Sequence, residues 1–290
     1  MHPTSEDPPF RSIAIAGLGL IGGSIALAVR ETWPSVLITG VDRQAVLAHA
    51  LGSGAIDRAA PSIQSIGETD LVILAAPVRQ NVQLLRELAA EPVRTLVTDV
   101  GGTKRDIVSA AADLPIRGSF VGGHPIGGAE RGGFGFARPD LFRGRPWIFT
   151  PSDDTPQDAL ERLSVLVRGM GARPSVLDPD EHDRVMAFLS HLPQLTASTL
   201  MEVIGRAAHA DGLRLAGRGL VDTTRLASSP ANVWKDICLT NADSIGAALD
   251  ALIERLGEIR ADLRNGSAVE TVFDNAGRWR AELMKGREST

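Results

Sequence analysis

Two groups of residues in this 290-residue chain have the types and spacing to do chemistry. The first is Gly17-Leu18-Gly19-Leu20-Ile21-Gly22. This G-x-G-x-x-G run follows an apolar β-branched segment, opens a helical one at 23–30, and precedes a second strand ending in Asp42, 20 residues past Gly22. In that setting the pattern reads as a dinucleotide site. Gly17 allows a sharp turn, Gly19 lets backbone approach a pyrophosphate, and Gly22 lets helix and strand pack closely. The pyrophosphate then meets the unpaired N–H groups of the first helical turn, around Leu20 and Ile21, at the positive end of the helix dipole. Asp42 can accept hydrogen bonds from both ribose hydroxyls and would repel a 2′-phosphate, which favours NAD. Arg43 could instead pair with that phosphate, so NADP stays open. Ala76 and Pro77, after the fourth strand, are counted with the cofactor residues.

The second group is drawn from six histidines. His2 in the tail and His49 on a surface helix read as solvated, and His209 as a helix-end cap. His124 stands in Val121-Gly-Gly-His-Pro-Ile-Gly-Gly128, a glycine-dense turn after a strand where a ligand can come close. An imidazole there can accept a proton near neutral pH. His182 and His191 lie nine residues apart on one expected helix, which is two and a half turns, so they face nearly opposite sides and are not expected to share a metal. His191 stands beside the Pro193 kink. His182 reads as structural. No cluster has metal-ligand spacing.

The elements that must hold these residues fall into two regions. Strands are expected at 11–16, 35–41, 71–75 and 95–99, with a weak one near 56–58, so five or six in all. Helices alternate with them, including 45–51, which ends at Gly52. Segments 120–122 and 146–150 could extend the sheet, a helix is expected at 156–170, and 176–177 is a last strand candidate. This is the pattern of a doubly wound, mostly parallel sheet. After Pro179 the apolar spacing becomes helical over 182–201, 201–210, 229–239 and 240–264. We therefore divide the chain into a dinucleotide-binding domain, 1–178, and an all-helical domain, 179–290. The stripe Ile245, Ala248, Leu252, Leu256 and Ile259 suits packing against another subunit, so a homodimer is expected.

Composition agrees with two globular domains. Hydrophobic residues make up 43% and charged residues 22%, with 30 basic against 35 acidic side chains. The net charge of -5 and the absence of a basic stripe argue against nucleic acid as a partner. The single cysteine, Cys238, rules out an intrachain disulfide and suits a reducing, cytoplasmic setting. The uncharged run 13–29 is not a signal or membrane segment by this reading, because the preceding tail is acidic and the run carries four glycines.

The chain resembles the prephenate and arogenate dehydrogenases of tyrosine biosynthesis. The likeness runs from about Ser12 to Leu263. It rests on Gly17-Leu-Gly-Leu-Ile-Gly-Gly-Ser24, Asp99-Val-Gly-Gly-Thr-Lys104, Gly123-His-Pro-Ile126, Leu141-Phe-Arg-Gly-Arg-Pro-Trp147, His182-Asp183, Ser190-His-Leu-Pro-Gln194, and Thr224-Arg225 with Trp234-Lys-Asp-Ile237. The resemblance implies a Rossmann-type domain followed by an α-helical dimerisation domain. It also implies NAD(P)-dependent oxidative decarboxylation of prephenate to 4-hydroxyphenylpyruvate, or of arogenate to tyrosine. His124 matches the group that takes the ring hydroxyl's proton, His191 and Arg225 match groups holding the side-chain carboxylate, and Trp234 and Asp222 match residues shaping that pocket. Where the family often has a serine, this chain has Gly102, so the assisting hydroxyl is absent unless Thr103 supplies one. Gly127 likewise replaces an alanine. The alternatives are a β-hydroxyacid-type dehydrogenase, which relies on a lysine in the helical domain, and a non-catalytic NAD-binding sensor.

Overall fold

The computed structural model describes residues 7–90, 95–128 and 131–288. Eight strands form one sheet in the order β3-β2-β1-β4-β5-β6-β7-β8. They are β1 (Ser12–Ala16), β2 (Leu37–Val41), β3 (Arg58–Ala60), β4 (Leu71–Leu74), β5 (Leu96–Asp99), β6 (Phe120–Pro125), β7 (Pro146–Thr150) and β8 (Arg173–Val176). The first six run parallel, β7 is antiparallel to β6, and β8 is parallel to β7. Both extension segments thus join the sheet, and its count exceeds the five or six strands expected. The last strand lies slightly earlier than 176–177.

Alternation along the strands builds two cores. Ile13, Ile15, Leu71 and Ile73 face one apolar layer with Phe142, Trp147 and Phe149, while Ala14, Ala16, Val72 and Leu74 face the other with Val97 and Phe120. A period of two, buried on both sides, is what helix-covered parallel strands require. The covering helices are α1 (Leu20–Thr32), α2 (Gln44–Gly52), α3 (Val78–Leu88), α4 (Arg105–Ala112) and α5 (Gln157–Gly169).

The helical region follows as α6 (Pro179–Met186), a π-helical turn (Ala187–His191), α7 (Leu192–Leu213), α8 (Arg218–Thr223), α9 (Ala231–Thr240), α10 (Ala242–Asp262) and α11 (Ser267–Glu288). Asp178 caps α6, its side chain accepting from the N–H groups of Asp180 and Glu181, with Pro179 at the first helical position. His209, at φ 51, stands at a kink within α7 where two helical segments meet, so it does lie at a helix end. His2 lies outside the described residues. The chain divides into two compact units, residues 1–242 and residues 243–290. Among the described residues no helix is long and apolar enough to cross a membrane.

The order reverses at β1 and β4, so a crevice opens at the carboxyl ends of the strands between them. Its first wall is the Gly17–Gly22 loop. Gly17 adopts φ +100, and a β-carbon there would come within 2.6 Å of the Ala75 carbonyl. A β-carbon at Gly22 would overlap the Gly17 carbonyl oxygen, whereas at Gly19 it would meet nothing within 4 Å. Gly22→Ala should therefore cost about 1–3 kcal/mol of stability and Gly19→Ala almost none. Thermal unfolding of the two variants checks this; equal melting temperatures would contradict it.

Candidate active site

Residues from the ends of three neighbouring strands, β2, β1 and β4, line this crevice. Asp42 follows β2, and its Oδ2 accepts from the Leu18 N–H at 2.7 Å while its Oδ1 accepts from the Arg43 N–H at 2.6 Å. The carboxylate is thereby fixed beside the glycine loop. The Arg43 side chain is 89% exposed. Gly19 precedes α1 with no side chain capping the helix, so the first-turn N–H groups stay available to an anion. Ala76 and Pro77 follow β4, where the Ala76 N–H is held by Asn81 Oδ1 at 2.9 Å. An open approach at Gly19, an uncapped helix and an acidic group at the end of β2 fit a dinucleotide.

Beyond the crevice, β5 ends in a buried ion pair that positions β6. Lys104 Nζ donates to Asp99 Oδ2 at 2.5 Å and to the Gly123 carbonyl at 2.7 Å, and the Asp99 carboxylate also accepts from the N–H groups of Gly101 and Gly123. Both charged side chains are fully buried, and burial lowers the pKa of Lys104 against the opposing pull of Asp99. Glycines are needed here for space. A β-carbon at Gly123 would lie 2.6 Å from the Asp99 carbonyl oxygen, and one at Gly122 would collide with Thr150 Oγ1. His124 is therefore not in a turn after the strand; it sits on β6 itself, paired with Ile148 of β7.

The imidazole of His124 meets a second one. His124 Nδ1 and His182 Nε2 share a hydrogen bond of 2.9 Å, and His182 Nδ1 lies 2.8 Å from Asp183 Oδ1. His182 is thus a partner of His124, which corrects its reading as merely structural. A β-carbon at Gly102 would sit 4.0 Å from His124 Nε2 and 3.5 Å from Ile237 Cδ1, so the ring's other nitrogen faces Gly102. Thr103 is buried with its hydroxyl 2.8 Å from that of Thr240, which in turn donates to the Asp236 carbonyl.

His191 arrives on the π turn, where i→i+5 bonding advances each residue less than in an α-helix, so the uniform pitch assumed for the nine-residue spacing does not hold. It is buried, with Asn241 Nδ2 at 3.4 Å from Nδ1 and the ring of Trp234 edge-on at 6.1 Å. Arg225 and Asp222 lie on exposed segments around α8. The Arg225 stretch is tied to α7 by Gln194, whose Nε2 donates to the Leu226 carbonyl at 2.7 Å and whose Oε1 accepts from Ser229 Oγ at 3.0 Å. The structure thus joins His124, His191 and Trp234 in one neighbourhood and leaves Asp222 and Arg225 at its outer side. Sequence reasoning missed Asp99, Lys104, Asp183, Gln194 and Asn241 as individual contributors. The first four sit in motifs already quoted, but the pairing of Lys104 with Asp183 joins positions 79 residues apart.

Burial holds all three imidazoles neutral. Enclosure pulls His124 well below the usual histidine value, with His182, Lys104 and His191 pushing the same way. Burial also lowers His182 against the raising effect of Asp183, and lowers His191 to about 4. For Asp183, burial would raise the pKa, but hydrogen bonds from His182 and from the Arg105 and Lys104 backbone outweigh it and keep the carboxylate ionised. The unfolded chain binds a proton at each histidine near pH 6.5 while the folded chain does not, so stability falls as pH drops from about 6.5. For His191 that window extends to about 4. His191→Asn should flatten the decline of unfolding free energy by up to about 1.4 kcal/mol per pH unit there. Urea titrations across the window check it, and an unchanged slope would mean His191 titrates as an exposed histidine does.

Comparison with known proteins adds the family. Residues 25–176 match the model "Prephenate dehydrogenase, nucleotide-binding domain", and residues 178–273 match "Prephenate dehydrogenase, dimerization domain". The chain is 40% identical over 273 residues to the prephenate dehydrogenase of Bacillus subtilis, covering 90% of this chain and 72% of that one. It is 31% identical over 259 residues to the cyclohexadienyl dehydrogenase of Zymomonas mobilis, covering 87% and 88%. Its fold is similar to that of prephenate dehydrogenase from A. aeolicus, solved with hydroxyphenyl propionate and NAD+, with a TM-score of 0.83, 27% identity, and 96% and 98% of the two chains covered.

Proposed function

The chain belongs to the prephenate dehydrogenase family, and from that premise we propose how its own residues carry the reaction. The protein is an NAD(P)-dependent prephenate or arogenate dehydrogenase: a ring alcohol is oxidised, carbon dioxide leaves, and an aromatic phenol forms. Neither a β-hydroxyacid-type dehydrogenase nor a silent sensor is favoured by these relatives. We assign the nucleotide domain to residues 1–178 and the helical domain to 179–290, a division supported by the meeting of the two matched segments near 177.

Bound NAD supplies the hydride acceptor. Gly17, Gly19, Leu20, Ile21 and Gly22 receive its pyrophosphate, Asp42 its adenosine ribose, with Arg43, Ala76 and Pro77 lining the same site. His124 Nε2 takes the proton of the ring hydroxyl as hydride leaves the same carbon. The bond to the departing carboxylate then supplies the electron pair that completes the aromatic ring, and the oxygen takes the proton back to end as a phenol. No net proton leaves the site. His191 and Arg225 hold the substrate's side-chain carboxylate, Arg225 through its planar fork. Trp234 and Asp222 shape that pocket. Thr103, whose hydroxyl is engaged with that of Thr240, stands beside Gly102 where the family's serine would be.

The observation that carries this reading is the His124 ring, with Nδ1 engaged by His182 and Nε2 turned toward Gly102. His124→Asn should lower kcat by about two to four orders of magnitude while leaving NAD affinity nearly unchanged. Arg225→Ala should raise KM roughly tenfold to a hundredfold with a smaller effect on kcat. Formation of reduced nicotinamide from prephenate and from arogenate, assayed separately with NAD and NADP, reads both variants. Near-normal turnover in His124→Asn would remove His124 from the chemistry.

The helical domain is the family's dimerisation domain, and we assign the homodimer contact in part to α10 and α11. Ile253 and Leu256 on α10, Leu263 just after it, and Phe273, Trp279 and Leu283 on α11 are exposed in the single chain, and clustered apolar side chains of this size suit an interface. Leu256→Asp combined with Trp279→Glu should convert a dimer to a monomer in sedimentation experiments; an undisturbed dimer would place the contact elsewhere.

A further inference from the structure

Two buried groups behind His124 have no part in the reaction as described so far. Asp183 and His182 are each fully buried. Asp183 Oδ1 accepts the Lys104 N–H at 2.7 Å and Oδ2 accepts the Arg105 N–H at 3.0 Å, with Arg105 Nε at 3.4 Å. An ionised carboxylate is acceptor-only, so the 2.8 Å contact from Asp183 to His182 Nδ1 requires the proton on Nδ1. A neutral His182 then has its lone pair on Nε2, 2.9 Å from His124 Nδ1. His124 must donate through Nδ1–H, which leaves its own lone pair on Nε2, the nitrogen facing Gly102.

We propose that His182 and Asp183 are positioning residues that lock His124 in the tautomer able to accept the substrate's proton. The inference rests on the reading of His124 as the base. When Nε2 takes the proton, the bond from His124 Nδ1–H to His182 becomes charge-assisted, and the ionised Asp183 stands behind His182 to balance the transient charge. Because the oxygen reclaims its proton on aromatisation, the two rings need no relay that carries the proton onward to solvent. Lys104, whose ammonium also lies close, is neutralised by Asp99 rather than by this chain.

The test compares His182→Leu, which removes the acceptor, with His182→Gln, whose amide oxygen reaches the place of Nε2. Each is made alone and in the His124→Asn background. His182→Leu should lower kcat roughly tenfold to a hundredfold with KM and NAD affinity near normal, and His182→Gln should recover most of that loss. In the His124→Asn background His182→Leu should cost nothing further. Full activity of His182→Leu while His124→Asn is inactive overturns the lock alone, whereas an active His124→Asn overturns the base itself. An equal penalty for Leu and Gln, or one that persists without His124, also overturns the lock in favour of a packing role. Should His182→Leu not fold, long-range 1H–15N correlation of the wild-type histidines decides: protons on Nδ1 of both rings support the lock, and a proton on His124 Nε2 contradicts it.

Discussion

The site depends on the satisfaction of one buried carboxylate. Asp183 has no exposure to water, and a charge in that position is tolerated only when its lone pairs are engaged. It meets this demand with the first backbone N–H groups at the Lys104–Arg105 helix start and with the ring of its neighbour His182. The same bonds fasten the loop after β5 to α6. Asn241 extends the joint, donating to the Asp183 carbonyl and accepting from Arg105. Loss of the carboxylate would leave these donors buried without acceptors, so the helix carrying His182 would no longer be held against the strand carrying His124.

A second buried charge pair sets the other half of the geometry. Lys104 and Asp99 neutralise each other and also bond to both backbone groups of Gly123, which fixes the residue immediately before His124. Successive residues of one loop, Lys104 and Arg105, therefore define the position of His124 from two sides. Strand ends that converge at the order reversal bring this arrangement beside the dinucleotide loop. His124, backed by the buried His182 and His191, then acts in a medium where a single proton shift has large electrostatic consequences.

Much of this was legible in the sequence because the signals are local. The glycine loop, Asp42 20 residues later and the β-branched runs reported the nucleotide domain, since each depends on neighbours a few residues away. His124 stood out through its glycines, although these prove to thin a strand for the Lys104–Asp99 pair rather than to make a turn. The link of His182 to His124 was not legible, because it joins residues 58 positions apart on different elements. The Asp183 contacts with Lys104 and Arg105 join positions 79 and 78 residues apart, which no periodicity reports. The helix α11 was passed over although Val269, Val272, Phe273, Ala276 and Trp279 carry helical spacing; the break at Gly266, in a left-handed conformation, separated it from the longer stripe of α10.

The central claim is that His124 meets its substrate through Nε2. A crystal structure of the protein with NAD and a non-reactive cyclohexadienol or phenol analogue measures this directly. The account predicts His124 Nε2 within about 2.6–3.2 Å of the analogue's oxygen, with Nδ1 still on His182. A complex in which Nε2 faces away from that oxygen, or in which Nδ1 abandons His182 to reach it, would contradict the account.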